Sequence, residues 1–365
     1  MQKRKENMVV CILFILLLYG GFLLCLLMPG PRYLDSERRV PAPAPKLTAD
    51  AVWSGRFMEE FESYGMDAFP FREFFRRMKA LTAGGIFQRQ DNNGIYVADG
   101  FISAMEYPFH EESLDRAAER FRYIYDKYLT DENRVFLSVI PDKNCFLAGI
   151  SGRLSMDYEE FEEQMAAKAD FAEYIRISDL LERDDYYRTD THWRQERIID
   201  VAERLAQSMG ITLSGNYEIH EVEQDFYGVY YGQAALPLEP DRIWYLTGGA
   251  IDNCRGYDWQ NGSTIPVYDM ESAKGRDPYE MFLSGSLSLI TIENPNASTD
   301  KSLVIFRDSF GSSIAPLLID GYSRITLADI RYIHPDLLGK FVDFEACDVL
   351  FLYSTLVLNH SDAIK

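Results

Sequence analysis

The sequence predicts an α/β fold with a mainly parallel sheet, preceded by one membrane-spanning helix. Residues 134–140, 303–306 and 348–353 are mostly apolar over the length of a strand, which is typical of strands buried in a parallel sheet. Residues 112–128 form an amphipathic helical pattern just before the first of these strands. Residues 8–28 are apolar and uncharged for long enough to cross a bilayer as a helix.

Positive charges precede the apolar segment and predict its orientation. The positive-inside rule places residues 1–7 in the cytoplasm and the rest of the chain outside the cell, because basic residues cluster at Lys3, Arg4 and Lys5. The alternative is a cleaved signal peptide, whose apolar core is usually shorter. The sequence Ala42-Pro43-Ala44, which resembles a cleavage site, lies well past the apolar segment. We therefore expect an uncleaved, single-pass anchor in the cell membrane.

Beyond the anchor, composition divides the chain into a stalk and a domain. Residues 29–48 are rich in proline and predict an extended stalk (Pro29, Pro31, Pro41, Pro43 and Pro45). Residues 49–365 are expected to form the extracellular domain. A β-rich insertion with many tyrosines and Gly and Pro turns is predicted at about 211–292, and insertions of this kind commonly contact substrates.

Two helices are predicted at the start of this domain. Thr48 is a suitable N-cap for one continuous helix that carries Val52, Phe57, Met58 and Phe61. Residues 69–75 begin the next helix, and we expect their large apolar side chains to pack in the core.

Charge and cysteine content exclude some classes of function. The formal net charge of −20 argues against a general nucleic-acid-binding surface, which needs clustered Lys and Arg, and suits a sugar or another uncharged partner. Cys145, Cys254 and Cys347 lie in the exported part without metal-like spacing and imply no disulfide framework. One pair among them could form, and the sequence does not indicate which.

The segment from Leu303 to Ser313 predicts a nucleophile. Its apolar strand is followed by Arg307-Asp308-Ser309, then Gly311 and a run that can start a helix. A strand–turn–helix of this kind presents a serine hydroxyl at the carboxyl edge of a sheet, beside helix N–H groups that can stabilise an oxyanion. The alternative is that Ser309 or Ser312 only caps the helix.

A serine nucleophile needs a base, and His192 is the strongest of the five histidines. Asp190 precedes it by two residues, so in an extended segment both side chains point to the same side and the carboxylate can orient the imidazole. The pairs Glu218–His220 and His334–Asp336 have the same spacing in less distinctive surroundings.

Two other roles for Asp190 and His192 remain open from the residues alone. They could bind a divalent ion together with a distant ligand, although neither the H-E-x-x-H nor the CxxC spacing occurs. They could also be a structural hydrogen-bonded pair. We expect neither a metal nor another cofactor.

The two motifs together resemble the DHHW family of Gram-positive bacteria, relatives of the alginate O-acetyltransferases in the SGNH-hydrolase-like group. The resemblance rests on residues 189–193 (Thr-Asp-Thr-His-Trp) and 307–311 (Arg-Asp-Ser-Phe-Gly). It extends to residues 69–72, 141–143 and 329–332. It implies a three-layer α/β/α SGNH-like domain in which the Asp and His precede the Ser in the chain.

The resemblance also assigns roles at the site. It implies Ser309 as nucleophile, His192 as general base and Asp190 as the acid that orients it. Arg307, Gly311, Arg331 and Tyr332 are candidates for oxyanion or substrate contacts. Two positions depart from the patterns: Thr191 stands where the family's name has a second His, and Arg307 stands where SGNH enzymes have the Gly of Gly-Asp-Ser.

These expectations predict a membrane-anchored extracellular serine acyltransferase that O-acetylates a cell-surface or secreted polysaccharide through an acyl-serine. Relatives obtain the acyl group from a membrane-bound O-acyltransferase, so such a partner is expected here. One alternative is a carbohydrate esterase or deacetylase with the same triad. Another is a non-catalytic cell-envelope assembly protein that keeps the fold.

Overall fold

A computed structural model describes residues 2–28 and 30–365 of the chain. Met1 of the predicted cytoplasmic segment and Pro29 of the predicted stalk lie outside these residues. The described part divides into two compact units. The first contains the chain up to Asn92 together with Gly232–Pro237, and the second contains Asn93–Tyr231 and Leu238–Lys365.

The first unit is helical. It contains α1 (Gln2–Leu27), α2 (Ala49–Trp53), α3 (Arg56–Ala68) and α4 (Arg72–Leu81), followed by one π-helical turn at Thr82–Ile86. Within α1, Asn7–Cys25 is long and apolar enough to cross a membrane, a test that a signal sequence also passes.

The predicted first helix of the domain is interrupted. The Thr48 hydroxyl caps α2 by accepting a hydrogen bond from the Ala51 N–H at 3.2 Å. The prediction of one continuous helix to Phe61 is wrong, because Gly55 has a φ of 83° and separates α2 from α3. Such a left-handed conformation ends a helix and is adopted at little cost only by glycine.

The predicted core packing of the next helix is also wrong. Phe71, Phe74 and Phe75 are 64%, 58% and 52% exposed, because the opposite, charged face of α4 is the one that packs inward. There the side chains of Arg72 and Arg76 are only 18% and 20% exposed.

The second unit is built on one large sheet. Its strands are β1 (Ile95–Ala98), β2 (Phe101–Ala104), β3 (Arg134–Ile140), β4 (Glu173–Tyr174), β5 (Glu218–Glu221), β6 (Trp244–Thr247), β7 (Arg255–Asp258), β8 (Ser263–Ile265), β9 (Leu289–Glu293), β10 (Ser302–Arg307), β11 (Arg324–Ala328) and β12 (Asp348–Ser354). The helices from Asn93 onward are α5 (Glu111–Tyr128), α6 (Asn144–Ser151), α7 (Tyr158–Lys168), α8 (Ile199–Ser208), α9 (Val229–Ala234), α10 (Gly311–Leu318) and α11 (Thr355–Leu358).

The central sheet is mainly parallel, as predicted. Among the described residues its order is β4-β3-β12-β10-β11-β9-β7-β8. The strands from β4 to β11 in this order are parallel, and β9, β7 and β8 add antiparallel pairs at the other end. The segment predicted as a β-rich insertion therefore supplies strands to the main sheet, in addition to the separate two-stranded antiparallel sheet of β5 and β6.

Helices cover both faces of the sheet. On one face, Leu205 of α8 and Ile314 of α10 pack with alternate strand residues such as Ile305. On the other, Phe121 of α5 and Phe161 of α7 pack with the remaining strand residues. This is the predicted three-layer α/β/α arrangement, in which parallel strands buried on both faces end at one shared edge.

Candidate active site

The predicted nucleophile lies in a sharp turn at the carboxyl edge of the sheet. β10 ends at Arg307 and α10 begins at Gly311, so Ser309 occupies the connection. Asp308 holds this turn in place, because its carboxylate accepts hydrogen bonds from the Phe310 N–H at 3.0 Å and from the N–H and hydroxyl of Ser354 at 2.8 and 2.6 Å. The turn is thereby tied to the end of the neighbouring strand β12.

Ser309, His192 and Asp190 form a continuous hydrogen-bonded series. His192 Nε2 lies 2.7 Å from Ser309 Oγ, and His192 Nδ1 lies 2.5 Å from Asp190 Oδ1. The Asp190 side chain is 2% exposed and the His192 side chain 12%. A carboxylate on Nδ1 favours the tautomer with its proton there, which leaves Nε2 free to accept the serine proton.

Backbone groups fix the orientation of the Asp190 carboxylate. Its Oδ1 accepts a hydrogen bond from the His192 N–H at 3.1 Å, and its Oδ2 accepts one from the Val229 N–H at 2.9 Å. Gly228 allows this approach, since a Cβ there would lie 2.3 Å from the Asp190 Cα. The acid is therefore held by the segment that leads into α9.

Lys143, from the Pro-Asp-Lys sequence that follows β3, contacts the loop that precedes Asp190. Its side chain is buried, and its ammonium donates hydrogen bonds to the carbonyl oxygens of Tyr187 at 2.8 Å and Arg188 at 3.3 Å. Burial lowers the pKa of Lys143 to about 7, against the opposing effect of Asp241, Asp190 and Asp142. This buried amino group lies behind the loop that carries the acid.

Tyr279 stacks on the imidazole of His192. The two rings are 3.8 Å apart between centroids and inclined by 9°, and the Tyr279 hydroxyl donates to Ser313 Oγ at 3.0 Å. Trp193 donates to the same Ser313 Oγ at 2.9 Å. Sequence reasoning missed Tyr279, and the only signal for it was the abundance of tyrosines in the segment expected to contact substrate.

Arg307 lies beneath the nucleophile turn. Its side chain is 0% exposed, 3.8 Å from Asp329, and burial lowers the pKa of its guanidinium. A Cβ on Gly311 would lie 2.7 Å from the Arg307 Cβ, so the glycine accommodates the arginine that replaces the expected Gly of the turn. The guanidinium has no exposed surface to offer a substrate in this arrangement.

Arg331 and Tyr332 lie just past the end of β11, at the same edge of the sheet. Arg331 forms a two-bond ion pair with the buried Asp329, at 2.9 and 2.6 Å, and its guanidinium lies 5.4 Å from the Tyr332 ring centroid. Tyr332 is 52% exposed. Within the described residues, neither side chain makes a hydrogen bond or ion pair with Ser309, His192 or Asp190.

The other histidines and the cysteines lie in different surroundings. His220 Nε2 contacts Thr247 Oγ1 at 2.7 Å, and His334 Nδ1 accepts from the Asp336 N–H at 3.2 Å. Cys145, Cys254 and Cys347 are free thiols in the structure. Over residues 2–28 and 30–365, no group of three or more His, Cys, Asp or Glu side chains is arranged to hold a metal ion.

The chain resembles known proteins in its three-dimensional structure. No family model matches the chain, and no curated protein matches it in sequence. A DHHW family protein from Eubacterium siraeum superposes with a TM-score of 0.59 at 20% identity, over 75% of this chain and 95% of that one. PatB1 of Bacillus cereus superposes with a TM-score of 0.56 at 16% identity, over 74% of this chain and 98% of that one.

A second structure of PatB1, determined with a sulfonyl adduct, superposes with a TM-score of 0.53 at 18% identity, over 72% of this chain and 95% of that one. At these identities the likeness concerns the fold. The α/β/α fold implied by the resemblance to the DHHW family is thus confirmed, since this chain shares that fold with these proteins.

Proposed function

We propose that the chain is a membrane-anchored extracellular serine acyltransferase that acetylates hydroxyl groups of a polysaccharide. The observation that carries this proposal is the hydrogen-bonded series from Asp190 through His192 to Ser309, with distances of 2.5 and 2.7 Å. Distances of this size are what a nucleophile, its base and the group that orients the base require.

In the first step, His192 Nε2 accepts the proton of Ser309 as Oγ attacks the carbonyl carbon of an acyl donor. The donor's leaving oxygen then takes this proton as the tetrahedral intermediate collapses, and Ser309 carries the acyl group. The imidazolium formed between these events is stabilised by the Asp190 carboxylate on Nδ1.

The developing oxyanion needs a hydrogen-bond donor beside Ser309 Oγ. The N–H groups of Phe310, Gly311 and Ser312 are already engaged, with Asp308 Oδ1 at 3.0 Å, the Asp308 carbonyl at 3.1 Å and the Ser309 carbonyl at 3.2 Å. The N–H of Ser309 donates no hydrogen bond among the described residues. Ser309 N–H is therefore the donor that this turn offers to the oxyanion.

In the second step, His192 accepts the proton of an acceptor hydroxyl, and that oxygen attacks the acyl-serine and releases Ser309. We take a polysaccharide hydroxyl as the acceptor. The protein is strongly acidic and lacks the clustered Lys and Arg of a nucleic-acid-binding surface, and an uncharged sugar suits such an exported protein. In this scheme a membrane-bound O-acyltransferase supplies the acyl group outside the cell, since acetyl-CoA is confined to the cytoplasm. A single anchor at α1 keeps the chain near such a partner.

Covalent labelling by a sulfonyl fluoride tests the nucleophile, and the sulfonyl adduct recorded for PatB1 guides this choice of probe. We expect the full chain to take up one sulfonyl group and to acetylate oligosaccharides from a chromogenic acetyl ester. Ser309→Ala should abolish both. The matched control is Ser312→Ala, which changes a buried serine of the same turn and should retain both. Undiminished labelling of the Ser309→Ala chain would contradict the proposal.

Hydrolysis is the second candidate activity, and the partial exposure of Ser309 favours it, because water can then reach an acyl-serine. The ratio of acetylated oligosaccharide to free acetate separates the two. An excess of acetate at saturating acceptor concentration would assign an esterase. A chain that neither labels nor turns over the ester would instead support a non-catalytic role in envelope assembly.

A further inference from the structure

The apolar face of α4 points away from the protein. Its first member, Phe71, directly precedes α4, and the others follow it at i+3, i+4, i+7 and i+10, which places those four on one side of the helix. In a soluble domain such a face is buried, but here every member is between 48% and 64% exposed. We call this set the α4 stripe: Phe71, Phe74, Phe75, Met78 and Leu81.

Ion pairs on the opposite face hold α4 in this orientation. Arg72 pairs with Glu37 and lies 3.9 Å from Asp67, which Arg39 also binds at 2.6 Å. Arg76 donates hydrogen bonds to the Ser36 hydroxyl at 2.8 Å and to the Gly232 carbonyl at 2.7 Å. Turning the stripe inward would break these partly buried pairs and leave their charges without partners.

Other large apolar side chains are exposed in the segments that precede and follow α4 in the chain. Trp53 at the end of α2 is 95% exposed, and Ile86 and Phe87 after α4 are 74% and 71% exposed. Met58 and Phe61 of α3 are 65% and 49% exposed. Soluble monomers rarely expose so many large apolar side chains within forty residues, so this surface implies a partner.

The preceding helix identifies the partner as the bilayer. Only residues 28–48 separate the end of α1 from the start of α2, and even fully extended they span about 70 Å. Trp and Phe are the side chains that favour the membrane–water interface, and the exposed Arg77 and Lys79 flank the stripe as basic residues do in interfacial helices. A tether this short keeps the stripe at high local concentration near the lipid.

We propose that α2, α3, α4 and the turn after them lie in the outer interface of the membrane, with the α4 stripe inserted among the acyl chains. The inference rests on the proposed anchor at α1 and is independent of any chemistry at Ser309. It makes this unit a membrane-binding surface in addition to the transmembrane helix.

Fluorescence quenching by brominated lipid tests the insertion. The full chain is reconstituted into phosphatidylcholine vesicles whose acyl chains are brominated near the headgroup, and Trp53→Phe serves as the background. Phe75→Trp in that background should lose about half of the added emission, because interfacial helices bury their apolar face ~5–10 Å into the headgroup–acyl boundary. Ile150→Trp is the matched control, since Ile150 is a 67% exposed apolar residue of the second unit, and its added emission should be unchanged.

Two results would overturn the inference. If the added emission of Phe75→Trp is insensitive to brominated lipid and is quenched by aqueous iodide, the stripe faces water and is not inserted in the bilayer. If the chain does not co-sediment with vesicles, the anchor and the interfacial surface both fail. Sulfonyl labelling of Ser309 in the same samples reports separately on the proposed chemistry.

Discussion

Tyr279 stacks on His192, and substitutions can test whether its ring supports acyl transfer. Its ring covers one face of the His192 imidazole at 3.8 Å, so it can stabilise the imidazolium that forms during acyl transfer. Aromatic pairs of this kind contribute ~0.5–1.5 kcal/mol beyond burial. We therefore expect Tyr279→Leu to lower kcat/KM for a chromogenic ester by about 3- to 10-fold.

The conservative variant separates this role from simple packing. Tyr279→Phe keeps the ring and loses only the bond to Ser313, which Trp193 still contacts at 2.9 Å, so it should retain most of the activity. Equal losses in both variants would indicate that the ring stacked on His192 does not support activity.

The spacing of nearby residues explains which parts of the site were predictable. Asp190 and His192 are two residues apart and Ser309 follows a strand, so local spacing made these three residues candidates, and the structure places them within hydrogen-bonding distance. Tyr279 reaches His192 only because a 3-10 turn at Pro278–Met281 packs against α10. No local pattern encodes that contact, and the same holds for the bond from Asp308 to Ser354.

The connection between β10 and α10 is the element whose geometry the site depends on most. Gly311 is the first residue of α10, and a Cβ there would lie 2.7 Å from the Cβ of Arg307 and 2.9 Å from its Cγ. Since Arg307 is fully buried, it has no free space in which to move aside. We expect Gly311→Ala to destabilise the fold by about 1–3 kcal/mol, the range for overpacking a core, and to slow sulfonyl labelling of Ser309.

A second glycine in a helix provides the comparison. Apart from its chain neighbours and the nearby backbone of α6, no described atom lies within 4 Å of a Cβ on Gly149, so Gly149→Ala should raise stability slightly through its higher helix propensity. Thermal unfolding and the labelling rate, measured on both variants, check the prediction. If Gly311→Ala unfolds and labels like the native chain, the close packing of Arg307 under the turn is not what shapes it.

The apolar periodicity of a helix predicted the buried face of α5 but not that of α4. The pattern at residues 112–128 predicted both α5 and its buried face, because the apolar side packs on the sheet. The pattern in α4 predicted a helix, but the expected burial of Phe71, Phe74 and Phe75 was wrong. Its orientation depends on Glu37 and Asp67, whose partners in α4 could not be identified from spacing.

For the molecule as a whole, the apolar strands predicted a parallel sheet but not its full extent. β3, β10 and β12 are buried on both faces and read as continuous apolar segments. β7 and β8 are short and half-exposed, and they join the sheet through antiparallel pairing with β9. Residues 211–292 were predicted to be β-rich, but no local pattern indicates which sheet a short strand joins, so the place of β7 and β8 at the sheet's end became clear only from the fold.

The pH dependence of stability follows from two buried, adjacent groups. Burial raises the pKa of Asp142 to about 6, and the charge of Glu106 raises it further. The contribution of Asp142 to the free energy of unfolding therefore falls as the pH rises from about 4 to 6 and is constant above pH 7. Burial lowers the pKa of Lys143 to about 7. Between pH 7 and about 10.5 the unfolded chain binds a proton at this lysine that the folded chain does not, and stability therefore rises with pH.

Lys143→Met should remove this rise. Each pKa unit corresponds to about 1.4 kcal/mol, so the native chain should gain up to ~2.7 kcal/mol relative to Lys143→Met between pH 7 and pH 9. Thermal unfolding of the full chain in detergent at the two pH values measures the difference, with the exposed Lys301→Met as the matched control. If the native chain and Lys143→Met respond equally to pH, Lys143 keeps its proton throughout this range, and the loop before Asp190 rests on a permanent buried cation.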